Sequence, residues 1–124
     1  MLNRLTLIEI LHNKAEITIE VEESIIPIEG NALASGDPME DAKEERWIKN
    51  ELFSGNTWAW ADVTVKATWK NFVGVDTLGG CSYLSEEEFK SLAGYYGDMV
   101  DMAVVDLADR IIKSYTAIRE IVGI

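Results

Sequence analysis

Hydrophobic and polar positions alternate cleanly between Ala15 and Glu23. Ile17, Ile19 and Val21 interleave with Glu16, Thr18, Glu20 and Glu22. A period of two predicts a half-buried strand. A second alternation runs from Thr57 to Trp69. One face carries Ala59, Ala61, Val63, Val65, Ala67 and Trp69; the other carries Trp58, Trp60, Asp62, Thr64, Lys66 and Thr68. The first face is small and apolar, suited to packing under a helix. Lys70-Asn71 can turn the chain into an antiparallel partner over Phe72 to Asp76. Gly79-Gly80 predicts a bulge or a close backbone approach, after which this third strand can resume through Cys81 and Tyr83.

The period changes elsewhere. Asp37-Pro38-Met39-Glu40 has the marks of a helix start, with an aspartate cap, proline in the first turn and an acid three residues after the cap. That helix is expected to reach about Phe53 and stop at Ser54-Gly55-Asn56. Ile25 to Gly36, punctuated by Pro27, Gly30-Asn31 and Ser35-Gly36, reads as a loop. Ser85-Glu86-Glu87-Glu88 fits a capping box with acids at the positive end of a helix dipole. Gly94 and Gly97 weaken the helix that this box would start, and the helical signal is strong from Asp98 onward. There Val100, Val104, Leu107, Ile111, Tyr115, Ile118 and Val122 form one stripe, spaced 4-3-4-4-3-4. Asp106–Arg110 and Asp109–Lys113 are spaced as four-apart ion pairs and are expected to contribute tenths of a kcal/mol each. Leu5 to Leu11 fits either a short helix or a hairpin strand turning at His12-Asn13.

Hairpin pairing without alternating strand–helix–strand units predicts an α+β fold. The expectation is a small antiparallel sheet of three or four strands packed against two helices, the C-terminal one long. The 124 residues suit one domain, with residues 1–14 as an N-terminal extension.

Charge narrows the function classes. Asp and Glu number 22 against 11 Lys and Arg, a formal charge of -11. Such a surface repels nucleic acid and anionic membranes, which select for Lys and Arg. No run of about 18 uncharged apolar residues exists to span a bilayer. Met1 to Lys14 carries Glu9 in its apolar run and lacks a small-residue cleavage site, a poor signal peptide. The expectation is a cytoplasmic protein.

Catalytic signals are weak. Cys81 and His12 are each the sole residue of their type. Nearby acids would raise a thiol pKa rather than activate it, so Cys81 reads as structural and His12 as a turn residue. Asp98, Asp101 and Asp109 have no His or Cys beside them and no calcium-loop spacing, so they read as a solvated face. The glycine-bearing loops match neither a phosphate-cradling loop nor a dinucleotide fingerprint. No cofactor or metal is implied, and the chain reads as a non-enzyme.

Binding signals are stronger. Trp58 and Trp60 fall on the same side of the predicted strand. They are either covered by a neighbouring element or a partner anchor, a role in which Trp is enriched. Trp47 lies off the main apolar positions of its helix and is a third candidate. Glu86, Glu87 and Glu88 lie in an acidic stretch running to Asp109, with further acidic patches at Glu16–Glu29 and Asp37–Glu51. Met102, Val105 and Ile112 lie away from the main stripe of the last helix, which makes a homodimer through that helix an expectation.

Four segments carry a resemblance: Gly30 to Asp37, Trp58-Ala59-Trp60-Ala61, Leu78-Gly79-Gly80-Cys81-Ser82-Tyr83 and Tyr95-Tyr96-Gly97-Asp98-Met99. Together they resemble a group of small proteins encoded by tailed phages, prophages and plasmids, over about Glu16 to Asp109. That group has no assigned activity, so no site residue carries over. The resemblance implies an intracellular inhibitor of a host defence system such as CRISPR, acting on a nucleic-acid-binding host effector by protein contact. The alternative is a protein that sequesters a nucleotide signal, with Arg4, Arg46, Arg110 or Arg119 lining a pocket.

Overall fold

A computed structural model describes residues 3–91 and 95–123. Helix α1 (Arg4–Lys14) leads into strand β1 (Glu16–Glu23), followed by helix α2 (Pro38–Phe53). A single 3-10 turn (Thr57–Ala59) precedes strands β2 (Ala61–Trp69) and β3 (Phe72–Cys81). Helices α3 (Glu86–Ser91) and α4 (Tyr95–Val122) complete the chain. The sheet is antiparallel in the order β1-β2-β3, so the chain is α+β with a long C-terminal helix. Gly94 lies outside the described residues; Gly97 sits within the first turn of α4.

The described residues group into two compact units. One contains the chain through Ile19, Val65–Asp76 and the residues from Tyr96 onward. The other contains Glu20–Thr64 and Thr77–Tyr95.

In the first unit, α1 settles the ambiguity of the N-terminal segment. Asn3 caps it by accepting the Thr6 N–H, and Leu11 is its buried residue. His12 is therefore helical, in the last turn, rather than a turn residue. Arg4 grips Asp109 of α4 at 2.8 Å, and His12 lies 3.5 Å from Asp101. The two ends of α1 thus meet the Asp101–Asp109 stretch of α4 in antiparallel order. Asp109 takes Arg4 rather than Lys113, while the Arg110–Asp106 pair forms at 2.9 Å. Val65 and Ala67 of β2 are fully buried, as are Ala103, Val104 and Leu107 of α4. Burying a Val or Leu side chain is worth about 1.5–3 kcal/mol.

Gly74 is where α4 meets β3. A Cβ there would collide with Ala103 O and Leu107 N and lie 2.7 Å from Leu107 Cα. Only glycine permits so close a backbone approach. Asp106 Oδ2 fixes the contact by accepting the Val75 N–H at 2.9 Å.

In the second unit, Asp37 caps α2 by accepting the Met39 and Glu40 N–H groups, with Pro38 in the first turn. The helix ends at Phe53, as its sequence predicts. Ala61 and Val63 of β2 face inward and are fully buried. The strand does not begin at Thr57, however. The 3-10 turn interrupts the alternation, and Ala59, Trp60 and Ala61 are buried in succession.

Candidate functional site

The tryptophans do not form the two-membered patch that alternation predicts. Trp58 lies in the 3-10 turn and Trp60 follows it, so they share no strand face. Trp60 is 4% exposed and packs with Ala32, Ile48 and Ala59. Its indole N–H donates to the Ile26 carbonyl at 2.8 Å, which satisfies its one polar group. Trp47 is half-buried against the same cluster. Trp58 is half-buried beside Phe89 and Tyr83, with ring centroids 5.5 and 6.4 Å away. Trp60 is thus a core residue and not a free anchor; the other two hold the unit together by most of their surface.

The glutamates at the start of α3 divide into two kinds. Glu88 is structural: its N–H donates to Ser85 Oγ at 3.2 Å, and its carboxylate accepts the Leu84 N–H at 3.3 Å. Glu86 is exposed and lies 3.6 Å from Lys90. Glu87 is exposed and has no ion-pair or hydrogen-bond partner among the described residues.

A further acidic surface arises on the outward side of β1 and β2. The inward residues of β1 are Ile17, Ile19 and Val21, which leaves Glu16, Thr18, Glu20 and Glu22 exposed. The outward residues of β2 are Asp62, Thr64, Lys66 and Thr68. Glu20, Glu22, Asp62 and Thr64 line a groove of about 310 Å³. Asp62 Oδ1 is held in place by the Gly80 N–H at 3.1 Å, and Thr64 shares a hydroxyl hydrogen bond with Thr77. The left-handed backbone of Gly80, at φ +64, aims that N–H at Asp62. Alternation places Asp62 and Glu22 on outward faces; only the pairing of β1 with β2 brings them to one groove.

The remaining chemistry is quiet. Cys81 is buried, with its thiol 3.4 Å from the Leu78 carbonyl. Burial, and secondarily the Asp62 charge, push its pKa up to about 11, so it is a thiol at neutral pH. His12 faces Asp101 instead. Among the described residues, no group of three or more His, Cys, Asp or Glu side chains is placed to hold a metal ion.

In the first unit, Arg4, Arg110 and Arg119 each engage a different group. Arg4 is held by Asp109 and Arg110 by Asp106. Arg119 lies over the Tyr115 ring at 5.8 Å, and in the second unit Arg46 is an exposed residue of α2. Arg110 and Lys113 do border a groove of about 700 Å³ with Phe72, Asp106 and Asp109.

No described helix is long and apolar enough to cross a membrane. No family model, curated protein or solved structure compared with the chain matches it.

Proposed function

We propose that this chain is a non-enzymatic acidic binding protein that captures a basic partner by protein–protein contact. The observation that carries the reading is the groove where Glu20, Glu22 and Asp62 come together on the outward sheet face. Spaced carboxylates present to Lys and Arg the same charge that nucleic-acid phosphates present. Glu86 and Glu87 extend the negative surface on α3. The resemblance to phage and plasmid proteins makes a nucleic-acid-binding host defence effector, such as a CRISPR component, the partner class. The site of action is then the host cytoplasm.

The test is affinity capture from a bacterial lysate with the natural chain and with Glu20→Lys/Glu22→Lys. Both positions are exposed, so the fold should tolerate the exchange. The reading expects one stoichiometric basic protein, and an association rate about tenfold slower for the variant at low salt, the lower end of what steering supplies. Equal capture by both chains would contradict it. Recovery of a bound nucleotide and no protein would instead favour sequestration, with the groove beside Arg110 and Lys113 as the pocket.

A further inference from the structure

The last turns of α4 leave their apolar stripe open to solvent. Every residue from Tyr115 to Gly123 is exposed, yet the helix continues to Val122. Its apolar side chains there are large: Ile118 is 58% exposed and Ile121 84%. A helical end of this length is marginal without a packed face.

We propose that a second copy of the chain covers this stripe, forming an antiparallel helix pair about a two-fold axis near Thr116 and Ala117. The inference does not depend on the acidic-groove reading.

The spacing of the stripe is self-complementary. Ile111, Tyr115, Ile118 and Val122 are separated by 4, 3 and 4 residues, a sequence that reads the same in both directions. A second helix turned end for end sets Tyr115 against the second copy's Ile118, and Ile111 against its Val122. These are the alternating layers of an antiparallel coiled coil, joined by an isologous interface.

Charge selects this stretch over the rest of α4. Two copies at -11 each repel one another. Upstream, α4 carries Asp98, Asp101, Asp106 and Asp109. From Ile111 to Val122 its only acid is Glu120, on the side away from the stripe. Ile112, Ser114, Arg119 and Ile121 flank the stripe, and none is acidic. The pairing therefore brings no carboxylates face to face. An apolar pocket of about 250 Å³, lined by Leu7, Ile10, Leu11, Trp69 and Ile111, opens at the start of the stripe and gives the second copy's Val122 a seat.

Sedimentation velocity on the full chain tests the proposal, between about 1 and 100 µM, a range that brackets a micromolar dissociation constant. The expected mass at the upper end is twice 13.9 kDa. Ile118→Glu, at an exposed position, should weaken association by about tenfold or more while leaving the circular dichroism of the sheet unchanged. Phe53→Glu, at an exposed apolar position on α2, is the control and should dimerise normally. Oxidising a mixture of Tyr115→Cys and Ile118→Cys chains should link one variant to the other faster than either to itself. A monomer throughout, a dimer indifferent to Ile118→Glu, or preferential self-linking of Tyr115→Cys would each overturn the proposal. So would a monomer that co-sediments with phosphatidylcholine vesicles, which would make a lipid surface the occupant.

Discussion

Trp60 and Ile118 sit on two apolar patterns of similar strength, and the molecule treats them oppositely. The Trp58–Ala61 run, with the look of an exposed anchor, is drawn into a core by the 3-10 turn, and Trp60 keeps its indole on the Ile26 carbonyl. The α4 stripe, with the look of a core face, is covered only over its first half. Val104 and Leu107 are buried, while Tyr115, Ile118 and Val122 stand exposed. Periodicity identifies which residues share a face. It says nothing about whether a partner element is long enough to cover that face.

The largest expected effect comes from the buried side of this comparison. Trp60→Ala removes a large side chain and strands the Ile26 carbonyl, so it should cost about 3–5 kcal/mol. Denaturant unfolding checks this; a loss under about 1 kcal/mol would mean the indole is not a core element. Trp58→Ala should cost less, since that ring is only half-buried.

Gly74→Ala comes next. The added Cβ would meet the backbone of Ala103 and Leu107, which no rotamer change relieves. The expected loss is about 1–3 kcal/mol or more, because overpacking must push α4 away from β3. Unchanged stability would show that the helix can ride higher on the sheet.

Smaller still is the loss of a helix cap. Asp37→Ala should cost about 1 kcal/mol, as the Met39 and Glu40 N–H groups lose their acceptor. By contrast, Ile118→Ala should leave monomer stability within about 0.5 kcal/mol, the usual range for an exposed position. A large loss there, measured at a concentration too low for association, would break the comparison.

A pH-dependent effect, seen only in alkaline solution, concerns Cys81. A thiol whose folded pKa is raised to about 11, above the ordinary 9.0, favours the folded state while protonated. That stability is fully present below the unfolded pKa and is lost as pH rises through the window up to about 11. Native Cys81 should accordingly react slowly with a thiol reagent at pH 8, and quickly once denatured. Rapid native labelling would show that the thiol is not shielded. On the acid side, Asp109 is held below the usual carboxylate range by Arg4, and Asp41 by the Ser35 N–H and hydroxyl. Their contributions are present at neutral pH and fade as pH falls through those lowered values.

Much of the fold is legible in the sequence because its signals are local. Asp37-Pro38 sets the start of α2, and the alternation of Ile17, Ile19 and Val21 sets the inward face of β1. The ambiguity of α1 has a physical source: Leu5, Leu7 and Leu11 are spaced by even steps, and Leu11 is its buried residue. The 3-10 turn is hidden because Trp58 to Ala61 continues a strand period without interruption. The capping box at Ser85–Glu88 is legible too, and Ser85 accepts the Glu88 N–H as it predicts; only the reach of the Glu88 carboxylate to the Leu84 N–H, one residue earlier, needs the structure. The groove of Glu20, Glu22 and Asp62 depends on strand register, which neither strand encodes alone.

The α4 stripe is left uncovered by the fold while Trp60 is enclosed, so a second copy of the chain is expected on the stripe and not at Trp60. Amide hydrogen exchange on the full chain at rising concentration tests this most directly. Protection at Tyr115–Val122 should grow with concentration as second copies cover the stripe, while protection in β2 and around Trp60 stays constant. Protection at Tyr115–Val122 that is already high in dilute solution and indifferent to concentration would contradict the account.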